Sequence, residues 1–151
     1  VMAQMWQGQP PRPAVLLGAF GLFPFLALGA ISVFGPVHAI ENALGALAAY
    51  GAIILSFLGG AHWGFCIAGS KSCLPETTFR LMASVTPSIV AWLSLLGPTE
   101  ISLYVLSCAF VAMLIFDIWS ARHGWAPAWY PVLRWPLSIG AVISSLVAVA
   151  V

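Results

Sequence analysis

Three side chains stand out as able to do chemistry inside the apolar stretches of this chain: His62, Asp117 and Arg134. His62 lies in Gly59-Gly60-Ala61-His62-Trp63-Gly64, about seven residues, or roughly 10 Å of helix, from the end of its apolar run. A polar group at that depth is costly unless it is paired or faces a cavity. An imidazole there can ligate a haem or chlorophyll-type pigment, relay a proton or touch a ligand, which makes His62 the candidate cofactor-binding residue. It can also simply tie helices together through a neighbouring carbonyl or hydroxyl, and that plainer role is preferred, with no cofactor expected. Asp117 stands near the end of the fourth apolar run and Arg134 near the start of the fifth. A short link between consecutive helices brings the two to one level, where an ion pair lowers the cost of both. The expectation is a structural pair rather than two side chains that snorkel separately to the headgroups. Arg80, Ser84 and Thr86 fall in the same half of the third run, and with His62 they can form a small polar pocket.

Other chemistries find no residues. Glu41, Glu76 and Glu100 sit in loops or at run ends, where carboxylates are easily solvated. There are no paired intramembrane carboxylates, no HExxH, no GxSxG and no phosphate-binding glycine loop. Cys66, Cys73 and Cys108 show no CxxC and no metal-site spacing. No catalytic residue and no metal ligand is assigned, and a net charge of +1 argues against a nucleic-acid partner.

The elements that must position these residues are set by composition. Of 151 residues, 62% are hydrophobic and 6% charged, against roughly 25% charged in soluble domains. A spanning helix needs about 20 mostly apolar residues, and five runs qualify: 14–34, 43–68, 79–96, 101–121 and 130–151. The expected fold is all-α, a polytopic five-transmembrane-helix bundle forming a single membrane domain over 1–151. The first run is read as a retained span, kinked at Pro24. Asn42 is the expected N-cap of the second run, and Thr77 or Thr78 that of the third. In the second run every fourth residue is small: Ala48, Ala52, Ser56, Gly60, Gly64, Ala68. Small ridges let helix backbones approach in lipid, so Ala52, Ser56, Gly60 and Gly64 are the expected packing residues and helix two the centre of the bundle. Leu103 is expected to face lipid.

Arg12, Lys71, Arg80, Arg122 and Arg134 all fall on one side of such a bundle. The positive-inside rule then makes the N-terminus cytoplasmic and the C-terminus periplasmic, in a bacterial inner membrane or, alternatively, a mitochondrial one. Trp6, Trp119, Trp125, Trp129, Tyr130 and Trp135 crowd the same side and are expected to form an interfacial aromatic belt.

The stretch from Tyr50 to Gly64, with its Ser56-Phe57-Leu58-Gly59-Gly60-Ala61-His62-Trp63-Gly64 core, resembles the signature of an uncharacterised integral membrane family. That family includes mitochondrial transmembrane protein 69 and short proteobacterial homologues. Gly21-Leu22-Phe23-Pro24-Phe25, Ala83-Ser84-Val85-Thr86-Pro87, Asp117, Gly124-Trp125-Ala126-Pro127-Ala128-Trp129-Tyr130 and Leu133-Arg134 resemble its other motifs. The resemblance covers nearly all of the chain from Gly21 to Arg134. It implies a membrane bundle of unknown activity, and it implies that the position of His62 accepts histidine or arginine, which suits a metal or haem ligand poorly. The expected role is a non-catalytic accessory or assembly subunit that touches lipid and docks through helix faces on a larger, energy-converting membrane complex. The alternative is a small-ligand, tetrapyrrole or lipid-binding carrier, similar to tryptophan-rich translocator proteins in architecture only.

Overall fold

Proline and glycine punctuate this chain as they do helices generally, the one at the start and the other at the end. Pro11, Pro36 and Pro98 are the N-cap residues of three helices, and Gly35 and Gly69 close two. A computed structural model describes residues 9–69 and 74–150; Trp6, Lys71 and Cys73 lie outside them. The described residues form α1 (Arg12–Phe34), α2 (Val37–Ala68), α3 (Leu74–Ser94), α4 (Thr99–Arg122) and α5 (Trp129–Ala150). Four of them, α1, α2, α4 and α5, are long and apolar enough to cross a membrane. The fifth, α3, carries Glu76, Arg80 and several hydroxyls and is less apolar. The molecule is an all-α membrane bundle.

Helix α2 is central and touches all four others. It starts at Val37, earlier than the apolar run, so Asn42 is an exposed residue of its second turn and not a cap. Hydrophobicity marks where lipid begins, and a helix is free to continue past that point. At 32 residues its length is about 48 Å, more than the roughly 30 Å hydrocarbon layer. Likewise α3 begins at Leu74, which places Thr77 and Thr78 inside its first turns. Helices α1 and α5 run parallel, with Gly18 against Leu137, Gly140 against Leu22, and Ser144 donating to the Phe25 carbonyl at 2.5 Å. Helices α2 and α4 also run parallel: Gly51 lies beside Leu106 and His62 beside Asp117. The core is built from Phe25, Leu47, Leu55, Leu103, Leu106 and Phe110. Leu103 is therefore a core residue, 1% exposed, and not a lipid-facing one. Phe25 sets its edge on both Tyr50 and Phe110, with centroids 5.1 and 5.8 Å apart.

The small-residue ridge requires correction. Ala52 is buried and Ser56 half-buried, but Gly60 and Gly64 are exposed, and a side chain added at either would meet nothing within 4 Å. A step of four residues drifts about 40° round a helix. From Ala48 to Gly60 the ridge has turned about 120° and left the packed face. The buried stripe instead follows Ala48, Gly51, Ala52, Leu55, Leu58, Gly59, His62 and Cys66, mixing steps of three and four as the helical repeat demands. The glycine that admits a neighbouring backbone is Gly59, where a Cβ would collide with the Ser84 carbonyl oxygen of α3. Gly29 does the same for the Ser144 hydroxyl of α5.

Candidate functional site

Because α2 and α4 are parallel, His62 and Asp117 reach the same depth, and the start of α5 brings Arg134 to that level. His62 Nε2 lies 2.6 Å from Asp117 Oδ1, and Arg134 Nε donates to Asp117 Oδ2 at 3.3 Å. A second arginine nitrogen, Nη2, donates to Ser138 Oγ at 3.1 Å, one helical turn along α5. Asp117 is fully buried, and His62 and Arg134 are each 6% exposed. One carboxylate thus ties three helices. An ionised carboxylate only accepts, so it is the imidazole that donates, through Nε2–H. Each oxygen has its own donor, which is what a buried carboxylate requires if it is not to carry a large desolvation cost. Rings close the group off from above and beside: Phe116, Phe65 and Tyr130 lie 4.8, 5.7 and 6.0 Å from the His62 ring.

The structure brings Asp117 and Arg134 together, and it adds His62, which sequence reasoning had placed with Arg80, Ser84 and Thr86. Those three go elsewhere. Ser84 and Thr86 donate to carbonyls of their own helix, at Leu81 and Met82. Arg80 donates to the Phe65 and Trp125 carbonyls, both at 3.4 Å, and lies 5.1 Å from the centre of the Trp125 ring. The polar pocket of that composition does not form. Equal depth on parallel helices was the signal that joins His62 to Asp117; which face α2 turns toward α4 is set by packing. His62 Nε2 is committed to Asp117, so a haem or chlorophyll-type ligand there would have to use Nδ1.

The aromatic belt also divides. Trp119 and Trp125 stand edge to face at 4.6 Å, with the His123 ring tilted against Trp119 at 4.4 Å. Trp135 is exposed on α5 and Trp129 is half-buried. Tyr130 is not a belt residue: it is 7% exposed and turned inward on His62 and Phe65. An aromatic followed by Pro131 at the start of α5 looks interfacial in sequence, but the first turn of the helix points this one at the core.

Two apolar hollows open on the bundle. A cleft of about 470 Å³ lies between α1, α2 and α5, walled by Leu17, Gly21, Phe57, Ala61 and Leu137, with Tyr130, Arg134 and Ser138 in its lining. A groove of about 900 Å³ lies between α3 and α4, lined by Phe79, Met82, Val90, Tyr104, Cys108 and Phe116. Both fall in the size range of small-molecule sites. Among the described residues no three His, Cys, Asp or Glu side chains gather as a metal site.

No solved structure matches the chain. It is similar to transmembrane protein 69 of Xenopus tropicalis, 37% identical over 137 residues that make 89% of this chain and 52% of that one. It is also similar to transmembrane protein 69 of Mus musculus, 29% identical over 148 residues, 91% of this chain and 53% of that one. The chain thus spans about half the length of these relatives. The family described as "Protein of unknown function (DUF3429)" matches residues 10–150, and the chain belongs to that family.

Proposed function

We propose that this membrane protein binds a small apolar molecule or lipid in the cleft between α1, α2 and α5, in the manner of a binder or carrier. The observation that carries the reading is the cleft itself, apolar along its walls and with a buried arginine in its lining. A packed membrane bundle has no structural need for a hollow of about 470 Å³ beside its most expensive polar group. The His62–Asp117–Arg134 group then has the double task of tying three helices and presenting a fixed polar end. No residue in it has the surroundings of an activated nucleophile, and the reading is non-catalytic.

A second reading, an accessory or assembly subunit docked on a larger membrane complex, is favoured by the broad groove between α3 and α4, which offers an apolar face to a neighbouring helix. One experiment separates the two. The protein is extracted in mild detergent, sized, and its bound small molecules are identified by mass spectrometry. A retained apolar compound on the isolated protein supports the carrier; co-migration with a large complex and no retained compound overturns it in favour of the subunit.

The same proposal places the protein in the bacterial inner membrane, or the mitochondrial one as the alternative, with the N-terminus and the end bearing Arg12, Arg80 and Arg122 toward the cytoplasm or matrix. Labelling of Cys73, with Cys66 and Cys108 changed to alanine, tests the orientation: reaction from the periplasmic side alone overturns it.

A further inference from the structure

Resting on the reading of the α1–α2–α5 cleft as a ligand site, we infer the class of ligand: a neutral amphiphile that carries a hydrogen-bond-accepting carbonyl at one end of an apolar body. The argument starts from the donors. Arg134 uses Nε on Asp117 and Nη2 on Ser138, and its Nη1 makes no hydrogen bond among the described residues. A guanidinium has five N–H groups, no acceptor, and no way to shed its charge. With Arg134 6% exposed and set in the cleft lining, the cleft is where the remaining N–H groups can meet a partner. The polar end of the site therefore calls for an oxygen that accepts.

Charge then narrows the choice. Asp117 and Arg134 form a buried ion pair in which the two charges offset each other. That pair closes at zero before any ligand arrives. A carboxylate or phosphate ligand would add an uncompensated charge in a low-dielectric setting, at a cost of several kcal/mol per ion after relaxation. A plain hydrocarbon would leave the donors bare. A carbonyl satisfies them at no net charge. The cleft walls, Leu17, Leu22, Phe57 and Leu137 among them, take an alkyl or isoprenoid body. An ester and a quinone-type ring share this acceptor chemistry, and the test distinguishes them.

The test titrates the purified protein with four probes, read as occupancy by native mass spectrometry. They are methyl myristate, a decyl-substituted benzoquinone, tetradecane and myristate. At least one of the two carbonyl probes is expected to bind about tenfold or more tightly than tetradecane, the worth of one charge-assisted hydrogen bond, and more tightly than myristate. Which of the two wins tells an acyl ester from a quinone-type ring. Gly21→Leu fills the cleft from a position where an added Cβ meets only the Tyr50 hydroxyl at 4.0 Å, so it should fold and lose binding of both. Arg134→Lys keeps a charge for Asp117 but gives up the spare guanidinium N–H groups, and should weaken the carbonyl probes about tenfold while leaving tetradecane unchanged. The comparison of ester with alkane on the parent protein needs no variant, so a misfolded Arg134→Lys does not shelter the inference. Preference for myristate, or equal affinity for alkane and carbonyl probes, overturns the ligand class and leaves the cleft standing. No binding by any probe overturns the cleft as well.

Discussion

Two hollows between the described helices are alike in their apolar walls and differ in the polar groups that line them. The groove between α3 and α4 is nearly twice as large, about 900 against 470 Å³. Of the two hydroxyls in its lining, Thr86 donates at 3.0 Å to the Met82 carbonyl of its own helix, and Tyr104 is exposed rather than held in a buried group. The smaller cleft has Arg134, Ser138 and Tyr130 in its lining, and the Asp117 carboxylate holds the arginine in place. Size does not mark the site. An apolar surface at a helix–helix groove is what any membrane bundle shows to lipid, whereas a buried cation with donors to spare requires a reason.

The strongest way to break this contrast is to remove the carboxylate. Asp117→Ala leaves Arg134 charged and unpaired and takes the partner from His62. Breaking a buried pair from one side costs about 3–5 kcal/mol, so the variant should unfold at a much lower temperature or fail to accumulate. The double change of Asp117→Ala with Arg134→Leu should be less damaging than Asp117→Ala alone, because no bare charge remains. Thermal unfolding of both variants and of Arg134→Leu in detergent checks this; additive losses mean the two side chains do not act as a pair. Nothing comparable exists in the groove.

A second effect of similar kind tests how the groove wall is positioned. Gly59→Leu drives a side chain into the Ser84 carbonyl of α3, whereas Gly60→Leu projects into open space. Overpacking costs about 1–3 kcal/mol, sometimes more. The first variant should be clearly destabilised and the second close to the parent, although the two positions are adjacent. Equal stability of the two would show that α3 does not approach α2 at Gly59.

That pair also locates what sequence can and cannot show. Apolar runs give the helices, because hydrophobic length is a sum over residues and needs no knowledge of neighbours. The meeting of Asp117 with Arg134 follows from depth on consecutive helices, a coordinate that counting residues supplies. Rotation about the helix axis is different. Gly59 and Gly60 stand about 100° apart, and which one faces a partner depends on the other four helices. The same blindness hid the partner of His62 and sent Leu103 to the wrong face. The start of α2 at Val37 was hidden for another reason: Asn42 reads as the cap of the apolar run, yet His38, Glu41 and Asn42 lie on the exposed first turns of a helix that outruns the apolar stretch.

His62→Ala sharpens the comparison at a smaller scale. It removes one of the two donors to Asp117 and leaves Arg134 in place. A buried acceptor that loses one partner costs about 1–3 kcal/mol. The variant should therefore fall between the parent and Asp117→Ala in thermal stability, and it should still bind in the cleft, since the cleft lining draws on Arg134 and Tyr130 and not on His62. Loss of binding with unchanged stability would assign the histidine to the ligand.

The smallest effect separates a hydroxyl that ties helices from one that does not. Tyr50 donates its hydroxyl to the Gly21 carbonyl of α1 at 2.8 Å, on the edge of the cleft. Thr86 donates only within α3, in the groove. An interhelical hydrogen bond in a membrane bundle averages about 0.6 kcal/mol and reaches about 1.7. Tyr50→Phe keeps the ring against Phe25 and removes only the bond, so it should lower stability by about 1 kcal/mol or a little less. Thr86→Val exchanges an exposed hydroxyl for a methyl of similar shape and should stay within about 0.5 kcal/mol of the parent. Chemical denaturation of both, at equal detergent concentration, decides. If the two variants are indistinguishable, the hydroxyl of Tyr50 does not hold α1 to α2, and the cleft wall formed by α1 rests on packing alone.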